Sequence, residues 1–131
     1  MTKAALILAA PLAASALLLA ACTPEVKAPD NPGVCYHAVP RVNGTITFNP
    51  LSAHEDTMES CAGALEGMRQ RFLGMGGSIH SIVGAYNGRY LFLDAGGVYE
   101  SESYKGVRFP FLVHTSDGRL AAPGRVQDPG Q

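Results

Sequence analysis

Tryptophan is absent from the 131 residues, and neither sign of charge dominates: ten Lys and Arg stand against eleven Asp and Glu. That balance excludes a basic nucleic-acid-binding surface, and no polybasic patch is present to attract membrane lipids. Charge runs are also absent, and with 47% of residues hydrophobic the chain is not a disordered one. Its length leaves no room for a barrel or doubly wound α/β enzyme. Cysteine is scarce at three, and no two are spaced C-x-x-C, so neither that redox pair nor a zinc knuckle is signalled. No Walker A pattern occurs. Gly74-Met75-Gly76-Gly77 lacks the third glycine of a dinucleotide fingerprint, and it leaves a helical segment rather than opening one.

What the sequence does contain begins with an uncharged apolar run over residues 4–21, preceded by Met1-Thr2-Lys3. The run closes on Leu19-Ala20-Ala21-Cys22, with small residues directly before a cysteine, where a signal peptidase needs extended, unobstructed backbone. This resembles the lipobox of bacterial lipoprotein precursors, an aliphatic residue, two small residues and Cys. The resemblance covers residues 1–22. It implies removal of residues 1–21, a diacylglycerol thioether on Cys22 and, in many bacteria, N-acylation. Two or more buried acyl chains make a lasting anchor, each buried CH₂ contributing about 0.8 kcal/mol. Thr23 rather than Asp after the cysteine implies the outer membrane over inner-membrane retention. A marginal uncleaved membrane helix is the competing reading of the run, weakened by Pro11 and by its alanine content. A plain secretory peptide with an incidental cysteine is another. Loss of residues 1–21 takes away Lys3 and no acid, leaving nine basic against eleven acidic residues.

Residues 22–33 then read as the lipidated cysteine and a tether, because Pro24, Pro29 and Pro32 favour extended polyproline II. At about 3.1 Å per residue, such a tether would hold a domain roughly 30 Å off the bilayer. A small domain is expected over 34–120 and a loose Pro/Gly-rich tail over 121–131. With Cys22 taken by lipid, Cys35 and Cys61 form an even pair in an oxidising compartment, and a disulfide is the economical reading. Closing a loop of about 26 residues would contribute roughly 3–4 kcal/mol to a domain of modest core.

One helix is expected after Asp56 and Glu59, which have capping-box spacing, with an apolar stripe of Met58, Cys61, Leu65, Met68 and Phe72. Glu59, Glu66, Arg69 and Gln70 fall mostly off that stripe. Gly74 supplies the left-handed stop, and Gly63 and Gly67 flatten one side for packing on a sheet. Beyond the helix the period changes to two. Ile82–Tyr86, Asn87-Gly88 and Arg89–Asp94 predict a type I′ hairpin pairing Ala85 with Tyr90 and Val83 with Phe92. Val98–Ser103 and Val107–Val113 follow as strands, Pro110 marking an edge or a bulge. Cys35–Val39 and Thr45–Phe48 suggest a smaller hairpin before the helix. The expected fold is α+β: one helix on an antiparallel meander of about four strands, with an N-terminal strand or hairpin added.

Chemistry is thinly written. His54-Glu55 lacks the second histidine of H-E-x-x-H. His114 ends a strand and is expected to be exposed, and His37 and His80 are isolated. Gly76-Gly77-Ser78-Ile79-His80 lacks the last glycine of a nucleophile elbow, and no acid is placed to orient His80. Asn43-Gly44-Thr45 reads as a turn. Glu100 and Glu102 share a strand face without an acid/base partner. Tyr86, Arg89, Tyr90, Tyr104 and Arg108 gather at expected turns and are the candidate binding residues, Tyr and Arg being enriched in binding hot spots. Solvated hydroxyls and solubilising arginines are the plainer reading of the same set. No catalytic residue, metal or cofactor is indicated, and the expected partners are the membrane, through Cys22, and an envelope protein or glycan, with no nucleic acid. The reading is a lipid-anchored, periplasm-facing binding or structural module whose partner its residues do not name. Alternatives are a small enzyme or metal-binding protein built from clustered histidines, and an inhibitor of an envelope hydrolase.

Overall fold

The computed structural model describes residues 24–124. The apolar run, Cys22, Thr23 and residues 125–131 of the expected tail lie outside the described residues. The elements are β1 (Cys35–Pro40), β2 (Ile46–Ser52), α1 (Met58–Gly74), β3 (Ile82–Tyr86), β4 (Arg89–Asp94), β5 (Gly97–Ser101), β6 (Phe109–His114) and β7 (Leu120–Ala121). All seven strands join in the order β2-β1-β3-β4-β5-β6-β7, each neighbour antiparallel. Among the described residues the α+β class with a single helix holds. The expected count of about four strands understates the sheet, because the N-terminal hairpin pairs directly with β3 and a short β7 extends the far edge.

The central hairpin forms as its local chemistry dictates. Asn87 and Gly88 both take positive φ, at 46° and 79°, as a type I′ turn requires. Ala85 then faces Tyr90 and Val83 faces Phe92, in the expected register. Pro110 lies opposite Tyr99 where the β5–β6 register shifts, as an irregularity that spares a ladder bond the imino nitrogen cannot make. β2 runs on through Pro50 to Ser52, four residues beyond the expected end; it is an edge strand, where a missing N–H costs no pairing.

Helix α1 carries its expected stripe, with Cys61, Leu65 and Met68 buried. Both ends differ by a residue or two from expectation. The capping box is Thr57 with Ser60, one residue after the Asp56/Glu59 pair: Thr57 Oγ1 accepts from the Ser60 amide at 3.1 Å, and Ser60 Oγ from the Thr57 amide at 3.4 Å. At the other end Gly74 is still helical and Gly76, with φ 79°, takes the left-handed position. Close packing comes from a glycine in the sheet rather than from Gly63 or Gly67. A Cβ at Gly84 would collide with the Leu65 side chain, whereas Gly63 faces open space. The Cys35–Cys61 disulfide ties β1 to the first turns of α1, with Cα atoms 5.4 Å apart.

Two apolar clusters result, one on each face of the sheet. Under α1 lie Leu65, Ile82, Leu91, Leu93 and Val98 with both half-cystines. On the opposite face Tyr90, Phe92 and Ala85 are buried with Ala28, which comes from the segment preceding β1.

Candidate binding face

The face away from α1 is aromatic because alternate strand positions deliver Tyr36, Phe48, Tyr90 and Phe92 to it. Their rings follow one another: Tyr36 meets Phe48 edge-on at 6.2 Å, Phe48 meets Tyr90 at 6.2 Å, and Tyr90 meets Phe92 at 6.4 Å. Tyr104, from the loop between β5 and β6, folds over this row with its ring 5.7 Å from Tyr90 and 5.8 Å from Phe92. The Arg108 guanidinium sits 3.6 Å above the Phe92 ring centroid, a cation–π contact at the surface.

Among the described residues no helix covers this face. Its roof is the proline-rich segment expected to be a tether. Tyr90 donates its hydroxyl proton to the Val26 carbonyl at 2.6 Å, and the Gly88 amide donates to the Pro29 carbonyl at 2.9 Å. Tyr36 donates to Asn31 Oδ1 at 3.0 Å, and Ala28 is buried between these bonds. Residues 26–33 therefore lie along the sheet as a strap. Burial, with Glu25 and Tyr104 beside it, holds the Tyr90 hydroxyl above the usual phenol range. Where the strap begins, a hollow of about 460 Å³ opens between Pro24, Val26, Arg41, Ile46, Tyr104 and Lys105.

The five candidate binding residues do not come together. Tyr86 is buried on the helix side, donating to the Glu55 carbonyl at 2.7 Å, and Tyr90 is fully buried on the other face. Both side chains are core, each hydroxyl taken by a backbone carbonyl. Arg89 pairs with Glu100 at 3.2 Å and with the exposed Glu102 at 3.5 Å, which also gives the two strand carboxylates a plain structural partner. Tyr104 and Arg108 remain at the surface, flanked by exposed Val107 and Phe109.

A second concentration of polar chemistry is buried under α1. Glu66 and Arg69, expected off the apolar stripe, are 5% and 7% exposed. Arg69 grips Glu66 with two N–H groups, each at 2.8 Å, and passes a third to the His80 carbonyl at 3.0 Å. His114, expected to be exposed, instead shares the helix side with Leu112 and sets Nε2 3.0 Å from Glu66 Oε1 and Nδ1 3.1 Å from the Ala95 carbonyl. Burial by itself would raise the Glu66 carboxyl; bonds from Arg69, His114 and Gln70 and the Arg69 charge outweigh it and hold it below the ordinary carboxylate range. Both ring nitrogens of His114 face acceptors, so no ring nitrogen is left for a substrate. His37 is half-buried 6.5 Å from the Phe72 ring, and burial lowers its pKa; His54 and His80 are exposed. Among the described residues no group of three His, Cys, Asp or Glu is placed to hold a metal ion. No helix among them is long and apolar enough to cross a membrane.

Comparison with protein-family models, curated proteins and solved structures finds no match to this chain. The reading of the site therefore rests on its own geometry.

Sequence reasoning missed Val26, Ala28, Arg41 and Lys105 as parts of a site. Nothing local marks them: Val26 and Ala28 gain their place by packing on the sheet, and Arg41 and Lys105 by lining one hollow. Glu66 and Arg69 carried one weak signal, opposite charges three apart on a helix.

Proposed function

We propose that this chain is a lipid-anchored envelope protein whose domain works by holding a partner rather than by turning over a substrate. The lipobox at Leu19–Cys22 supports the anchor. One observation carries the binding reading: the Arg108 guanidinium lies 3.6 Å from the Phe92 ring beside Tyr104, next to exposed Val107, on a sheet face that no helix among the described residues covers. Arg and aromatic side chains already fixed in place lose little freedom on binding, which is why they dominate interface energetics. The partner is an envelope protein presenting an apolar, acidic-edged surface.

Two experiments test this. Metabolic labelling with a clickable fatty acid should mark the wild-type chain and not a C22S variant. Photo-crosslinking in cells from benzoylphenylalanine at position 107 should give one discrete adduct that R108A abolishes and Q70A leaves intact. Adducts indifferent to R108A would overturn the binding face, and a glycan adduct would change the class of partner.

A further inference from the structure

The strap changes where the anchor must lie. Its first fixed point is Val26, whose carbonyl is held by Tyr90, and only four residue steps separate that point from Cys22. Fully extended, four steps span about 14 Å. A chain lipidated on Cys22 therefore keeps the end of the domain that carries Pro24 close to the bilayer, well inside the spacing that a free tether would give.

That end is built from the right materials. The β1–β2 turn places Val42 fully in water at its tip, beside Arg41. Arg41 donates Nε to Thr47 Oγ1 at 2.9 Å, which fixes its stem, and its terminal amino groups have no bond among the described residues. Lys105, at the tip of the loop that crosses the aromatic face, lines the same hollow. Neither cation belongs to any ion pair formed among the described residues. Among the described residues Glu25 is the one carboxylate lining the hollow, against two cations. Pro40 lines both this hollow and a neighbouring one of about 320 Å³, whose wall includes the exposed Ile79. Exposed apolar tips, unpaired cations and the point of chain entry thus share one end of the sheet.

We infer that this end, formed by the Arg41–Thr45 turn, Lys105 and Pro24, rests on the headgroups of an anionic phospholipid bilayer. The inference rests on the lipid anchor proposed above. The acyl chains supply the affinity, and the cations set the orientation: near an anionic surface each Lys or Arg shifts the balance about fivefold. Val42 enters the headgroup layer, and the hollow receives a lipid phosphate between Arg41 and Lys105. The sheet then stands end-on to the membrane, with the strap and Arg108 facing sideways.

The test uses the full lipidated chain in vesicles of phosphatidylglycerol and phosphatidylcholine with brominated acyl chains. An environment-sensitive fluorophore is placed at V42C or, as control, at E102C beside the opposite turn. Loss of fluorescence at 42 with retention at 102 is expected, and R41E/K105E should restore fluorescence at 42. Equal quenching at the two positions, in protein that floats with the vesicles, overturns the orientation while leaving the anchor standing. Protein that neither takes up fatty acid nor floats overturns the anchor, and the orientation falls with it.

Discussion

The Tyr90 hydroxyl and the Val26 carbonyl, 64 residues apart and 2.6 Å from one another, join the middle of the sheet to a segment with no regular structure of its own. Removing that hydroxyl with Y90F leaves the ring in place and a carbonyl short of one donor. The expected cost is about 1 kcal/mol in urea unfolding. The more specific readout is hydrogen exchange: the Gly88 amide, bonded to Pro29 on the same strap, should exchange faster, with the Leu91 amide in the sheet unchanged. Equal protection at Gly88 in both proteins would contradict a cooperative strap.

The disulfide should be worth roughly 3–4 kcal/mol, because Cys35 and Cys61 close a loop of 26 residues. Urea midpoints of the oxidised protein and of C35A/C61A measure it. A difference under about 1 kcal/mol would show that the helix is held to β1 without the covalent link.

Gly84 and Leu65 form a knob and its socket across the helix–sheet interface. G84A should destabilise by roughly 1–3 kcal/mol, since the new methyl meets Leu65 on one side and the Tyr36 carbonyl, 3.0 Å away, on the other. In an L65A background, where the socket is empty, the same substitution should cost less. Additive costs in the double variant would refute the steric account.

Glu66 sets a pH dependence of known sign. Its carboxyl is held below the ordinary range in the fold, so it binds fewer protons there than in the unfolded chain. Its contribution is complete above the unfolded carboxylate pKa and is lost as pH falls through the folded one. Stability should therefore fall on acidification, and E66A should flatten that fall. At neutral pH E66A should cost roughly 3–5 kcal/mol, because Arg69 and His114 are left buried without their shared acceptor. Replacing all three with apolar residues, as in E66M/R69M/H114L, should recover most of that loss. Unfolding curves across pH for the three proteins check each statement.

How much of this was legible depended on sequence distance. The 82–94 hairpin follows from Asn87-Gly88 and alternating apolar residues, all within a few positions of one another, and its register came out residue for residue. The helix ends were ambiguous for a local reason, since Asp56/Glu59 and Thr57/Ser60 offer the same spacing one residue apart. Strand β2 runs on past Pro50 because it is an edge strand, a position its own residues do not reveal. The buried Glu66–Arg69–His114 group was out of reach: an acid and a base on a helix look solvated until a histidine 48 residues away arrives beside them. The strap hid for the same reason. Proline-rich sequence without periodicity describes an extended chain, and an extended chain can lie on a sheet as readily as reach away from it.

The interior position of β1, between β2 and β3, has a mechanical consequence. A pull applied at Cys22 would first peel the strap, breaking its few hydrogen bonds in turn. The chain freed between Val26 and Cys35 is nine residue steps, about 30 Å at full extension. There the load meets a strand laddered on both sides and covalently riveted to α1, and it passes into the whole domain at once. Under such a load the molecule would act as a short leash on a stiff body.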